Sequence, residues 1–284
     1  MKSLLLSLFL AATVSASAQE VVVNHYAPPK DASVLATTFV DWDALTPSVN
    51  LNGQSRAVFD SPTATLDKFE VHISTLLPGM SSHPPHRHSW EEILLLRDGE
   101  LELSINGHKQ HAGPGAFIFL AANDPHNATN VGLTPATYYV INFVTGLSHA
   151  ESAPSAAEQA LPGKLPSSII DCNTKPSTPT PTGSRVVCVH SPTLTFLDLE
   201  SHISTLNPGQ RTAPDMVDPG DEFVLIKSGD VEISVNGIAS RMHEGSLAYW
   251  AANDKRGIRN VGKTPASYQV IRVISAKSPK PAAN

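Results

Sequence analysis

The chain has 284 residues, enough for two domains of ordinary size. Its 41% hydrophobic and 16% charged residues exclude wholesale disorder, and the net charge of −6 argues against nucleic acid or an anionic membrane as partner. Twenty-three prolines and 17 glycines favour short strands and turns over long helices.

Residues 1–18 read as a secretory signal peptide. Lys2 precedes the apolar run LLLSLFLAATV, and Ala16, Ser17 and Ala18 supply small residues for cleavage before Gln19. The run falls short of the roughly 20 residues that span a bilayer. No other stretch approaches that length, so the mature chain is expected to be exported, periplasmic or secreted, with no membrane contact after signal removal. Residues 19–146 then form a first domain whose pattern is β. LELSING (101–107) alternates apolar and polar residues and ends in the hairpin dipeptide Asn106-Gly107. The run EEILLL, the segment GPGAFIFLA and the aromatic, β-branched TPATYYVINFV supply further strands. Strands of this length at intervals of about 10 residues fit an antiparallel sandwich or barrel.

Residues 147–166, rich in Ala, Ser and Glu, read as a linker with room for a short helix. Residues 167–276 read as a second domain, and 277–284 as a tail. The second domain repeats the first at a constant offset of 130: HISTLLPG falls on HISTLNPG, AAND on AAND, and NVGLTPA on NVGKTPA. FVD (39–41) likewise falls on IID (169–171). Two copies of one all-β domain are expected. The two cysteines, Cys172 and Cys188, could form one bridge in an oxidising compartment.

The densest chemistry is HPPHRHSWEE (83–92), completed by DPHNATN (124–130). His86 and His88 are two apart, so on a strand both imidazoles share one face. Glu92 has the same parity, and His126 must arrive from another strand. Three imidazoles and a carboxylate suit one divalent transition metal ion: Mn, Fe, Ni, Cu or Zn. Four protein ligands would leave open positions for water or substrate.

Gly79, His86-x-His88, Glu92 and Gly99 resemble the first sequence motif of the cupin superfamily. Gly107, Gly113-Pro114-Gly115, His126 and Asn130 resemble the second. The first spacer is one residue longer than usual, and Gly113 stands where Pro is usual. The resemblance implies a bicupin, two tandem jelly-roll (double-stranded β-helix) barrels, with His86, His88, Glu92 and His126 as metal ligands. At the same positions the second copy has Met216, Asp218, Glu222 and Arg256, and Arg256 brings a fixed positive charge. The second barrel is therefore expected to be metal-free, with these four residues converging on an ion-pair cluster.

The remaining residues read more plainly. His83, an odd number of residues from His86, is expected to face away from the metal. His72 and His202 occur in both copies and read as structural, while His108 and His111 flank the hairpin and read as solvated. Glu91 reads as the outward neighbour of Glu92, and Trp90 as lining the pocket mouth or packing. Phe117, Phe119, Tyr139 and Phe143 are candidate wall residues without an assigned parity. Asn127-Ala128-Thr129 matches a glycosylation sequon, discounted because a sugar beside His126 would obstruct the site. Cupins so resembled include enzymes and binding modules alike. The leading reading is a metal-dependent enzyme on a small organic molecule, by dioxygenase-like or related redox or lyase chemistry. The alternative is a non-catalytic, metal-organised binding or sensing module. A homodimer is left open, and no catalytic residue is assigned.

Overall fold

The computed structural model describes residues 21–30, 33–149, 154–159, 161–213 and 216–280. The signal peptide expected at 1–18 lies outside the described residues. The regular structure of the described residues is almost entirely β, with one short α-helix, Ala156–Gln159, in the linking segment and three short 3-10 turns.

Each copy folds into two facing sheets. In the first, the larger sheet runs Ala116–Leu120, Glu91–Asp98, Ala136–Val144, Lys68–Leu76, Gly53–Ser61, Ser48–Asn50. The smaller runs Val22–Asn24, His86–His88, His126–Asn130, Leu101–Ile105, His108–Ala112. The predicted hairpin at Asn106-Gly107 is present: both residues have positive φ, 51° and 78°, the primed turn that matches strand twist. Asn130 fastens the far end. Its amide donates to the carbonyls of Leu76 and Thr134, and Asn260 makes the same bonds to Leu206 and Thr264 in the second copy.

The larger sheets of the two copies pack against each other, and this decides parity along every central strand. Phe69, Ile73, Ile93, Phe117, Phe119, Tyr139 and Phe143 point to the shared face, where they form one core with Phe223, Leu225, Tyr249 and Ile271 of the second copy. Their neighbours Leu94, Leu120, Tyr138 and Val140 point into the first barrel. Phe117, Phe119, Tyr139 and Phe143, candidate walls by sequence, thus lie outside the barrel lumen. These strands are buried on both faces, so no apolar–polar alternation marks the inward side.

Two short strands are exchanged across the pair. Thr38–Val40, N-terminal to the first copy, adds to Leu247–Trp250 of the second. Ser168–Asp171, N-terminal to the second, adds to Ala116–Leu120 of the first. The chain division at 147–166 is therefore not a division in space. The exchanged strands are latched symmetrically. The Ser167 hydroxyl donates to Asp124 and accepts from the Ala121 amide, as Thr37 does with Asp254 and Ala251.

Two buried carboxylates reinforce the junction. Glu91 points to the interface, where it accepts from Thr193 Oγ1 (2.6 Å), Thr195 Oγ1 (2.7 Å) and the amides of Leu194 and Thr195. Asp221, its counterpart at the repeat offset, accepts from Thr65 Oγ1 (2.6 Å), Thr63 Oγ1 (2.7 Å) and the Ala252 amide. Glu91 is the outward neighbour of Glu92, as expected, but outward here means the barrel–barrel interface. Cys172 and Cys188 form a disulfide at the edge of the shared core.

Candidate metal centre

The His86–His88 strand is short and held on both sides. Val22–Asn24 pairs with it in parallel, setting Asn24 beside His88, and His126 pairs with His86 across the other edge. Glu92 is the second residue of the strand Glu91–Asp98 in the facing sheet. One potential ligand atom from each of His86, His88, Glu92 and His126 lies within 4.8 Å of the other three, and all four residues are buried.

The donor set has the electronic character of a cation site. His88 Nδ1 donates to the Trp90 carbonyl (2.9 Å), which leaves the Nε2 lone pair facing Glu92 Oε2 at 3.1 Å. Two electron pairs at that distance repel unless a cation or a proton lies between them. His126 Nδ1 donates to the Asp124 carbonyl (2.8 Å), and its Nε2 is buried without a partner, as is His86 Nδ1. Backbone carbonyls thus fix two of the rings as outer-shell partners do in metal sites. Burial, reinforced by the neighbouring histidines, lowers the His86 pKa to about 3 and that of His126 to about 4. Burial raises the Glu92 carboxyl, but in the metal-free site a hydrogen bond from His88 and the charge of His126, His88 and His86 in their protonated forms outweigh it and leave the pKa at about 2. Neutral imidazoles beside an ionised carboxylate are the protonation states that a divalent ion requires.

The cluster opens on a cavity of about 570 Å³ in the barrel lumen. Trp90 both lines it and packs: its ring stacks on His88 (centroids 4.2 Å apart, planes within 3°) while Nε1 donates to Asn142. His83 corrects the sequence expectation. Its ring lies 3.8 Å from that of His86 and lines the cavity, because residues 83–85 are bends and strand parity does not apply to them. His108 and His111 are exposed, as expected. His72, expected to be structural, also faces the cavity, on the half-buried face of a strand whose other face is buried in the shared core.

In the second barrel Arg256 forms a bidentate, buried ion pair with Glu222, with Nε to Oε2 at 2.8 Å and the second nitrogen on Oε1. The expected four-residue convergence is only half realised. Asp218 turns to Arg272 (3.3 Å), and Met216 is 45% exposed. Arg272 takes the place of Asn142, and its guanidinium draws Asp218 away from the pair.

The fold and donor set define a two-barrel β protein in which, among the described residues, one fully buried His/Glu group is fitted to a divalent metal. The family description "Cupin domain" matches residues 72–142 and 202–272, and the chain belongs to the cupin family, as a bicupin. No curated protein matches it. Similar solved structures include AerE from Microcystis aeruginosa (15% identity, 84% of this chain and 99% of that one, TM-score 0.63). Lactobacillus farciminis oxalate decarboxylase in a formate complex aligns over 87% and 89% at 12% identity, TM-score 0.65. A Bacillus subtilis oxalate decarboxylase variant aligns over 87% and 80% at 14% identity, TM-score 0.62. At these identities the likeness is one of fold.

Proposed function

We propose that this chain is an exported, metal-dependent bicupin enzyme acting on a small organic molecule in its first barrel. The chemistry is dioxygenase-like, or related redox or lyase chemistry. The carrying observation is the convergence of His86, His88, Glu92 and His126 at the base of a cavity of about 570 Å³, within the size range of small-molecule sites. When bound, a divalent ion would supply Lewis acidity and open positions for substrate. The chain's own residues do the rest. The carbonyls of Trp90 and Asp124 hold two imidazoles in the coordinating tautomer, and Trp90 walls the site beside His88. Leu94, Leu103 and Leu120 give the cavity an apolar wall. The pairing of Val22–Asn24 with the ligand strand braces it on its open edge. Export accords with the disulfide and the leader-like N-terminus.

The test is product formation or oxygen consumption across a panel of small organic molecules, using metal-replete protein and His88→Ala. Turnover that disappears in the folded variant supports an enzyme. Ligand binding that persists without any turnover favours the binding-module reading.

A further inference from the structure

Across the first barrel's inner sheet, Glu70, Asn142 and Glu92 stand in one register row, and His72 lies in the next row beside Val140. These side chains are joined by directed bonds. Trp90 Nε1 donates to Asn142 Oδ1 (2.8 Å), Asn142 Nδ2 donates to Glu70 Oε2 (2.7 Å), and His72 Nδ1 donates to Glu70 Oε1 (2.8 Å). The chain begins on the ring stacked against His88 and ends on an imidazole that lines the cavity with its side chain 33% exposed. With Nδ1 committed to a carboxylate, the Nε2 lone pair of neutral His72 is free to accept a proton. This is the arrangement of a carboxylate-backed general base.

We infer that His72, held by Glu70, is the proton acceptor for an uncharged substrate bearing an acidic hydroxyl, an enol or a phenol, bound in this cavity. The inference deepens the enzyme reading above and rests on it. In the step, the substrate O–H bond breaks and an N–H bond forms at His72 Nε2. The electron pair stays on the oxygen, which faces the His86, His88 and His126 group, and Glu70 balances the imidazolium. The lining supports an uncharged substrate: among the described residues it contains no lysine or arginine, and apart from its histidines and Glu92 its polar groups are amides and hydroxyls such as Asn50, Asn52, Gln54 and Ser74. Among titratable groups facing His72, Glu70 and Glu92 favour the imidazolium. Tyr138 stays neutral because burial pushes its pKa up to about 12, and Ala57 and Val140, on the flanking strands, carry no charge. Burial opposes charging of His72, but its bond to Glu70 and that carboxylate's charge outweigh it, so the pKa is raised.

The test uses catechol as probe, bound to metal-replete full-length mature protein at about pH 8, where free catechol is largely neutral and an ordinary imidazole is too. Calorimetry in buffers of different ionisation enthalpy counts the protons released per catechol bound. The wild type should release close to none, because His72 keeps the proton, whereas His72→Gln and Glu70→Gln should release about one at unchanged metal content. A metal-replete wild type that releases a full proton, or that does not bind catechol, overturns the inference and leaves the metal reading standing. Loss of metal in both variants also overturns it, since the pair would then be a prop of the metal site. A wild type that takes up no metal overturns the metal reading and this inference with it.

Discussion

Replacing Arg256 by Met should expose how the second barrel substitutes an ion pair for a metal. The guanidinium is 3% exposed and doubly bonded to Glu222, itself 8% exposed, so removing it leaves a buried carboxylate without a counter-charge. Met restores most of the stem volume above Trp250, so the loss is electrostatic and not a cavity. Breaking a buried pair from one side costs about 3–5 kcal/mol, which corresponds to a fall in Tm on the order of 10 °C for a chain of this size. Pairing the change with Glu222→Leu should return most of that stability, because a hydrophobic pair of similar volume carries no desolvation penalty. The unpaired Glu222 of the single variant has a folded pKa raised by burial, so its cost is greatest at high pH and shrinks as pH falls toward the ordinary carboxylate range. Urea unfolding of the four proteins of the cycle at about pH 8 and pH 5 reads all of this. A single variant within about 1 kcal/mol of wild type at pH 8, or a double variant no better than the single, would refute the reasoning.

Acid should destabilise the metal-free protein through its buried imidazoles. His86 and His126 are held neutral in the fold, with pKa values of about 3 and about 4 against an unfolded value near 6.5, so their stability contribution is complete above about pH 6.5 and drains away as pH falls toward 4 and 3. A Tm of the metal-stripped protein that stays flat from pH 7 to pH 4 would contradict this. Reducing the Cys172–Cys188 bridge, which closes a loop spanning a sequence separation of 16, should cost about 3 kcal/mol in denaturant titrations with and without reductant. Glu91→Ala strands the hydroxyls and amides of Thr193–Thr195 at the interface, and a loss of roughly 2–4 kcal/mol in urea unfolding is expected, with the barrels loosening in limited proteolysis.

The repeat and the convergent residues were legible because both depend on local rules. A constant offset of 130 carries each glycine turn into its counterpart, and the two-residue spacing of His86 and His88 fixes one face wherever the backbone is extended. The placement of Phe117 and Phe119 was not legible, because a strand buried on both faces offers no alternation to read. The same burial hid the role of Glu91, whose partners lie more than 100 residues away in the other barrel. Exchange of Thr38–Val40 and Ser168–Asp171 rests on backbone pairing between distant segments, which leaves no trace in local composition. His83 misled for a different reason: parity was applied to a proline-led bend where no strand runs.

The central claim is one metal centre, in the first barrel only, built from His86, His88, Glu92 and His126. Native mass spectrometry with elemental analysis of the mature protein, on wild type, His88→Ala and Arg256→Ala, tests it most directly. The account predicts one divalent transition metal ion per wild-type chain, none in His88→Ala, and one in Arg256→Ala. Two ions per wild-type chain, or a full equivalent retained by a folded His88→Ala, would contradict it.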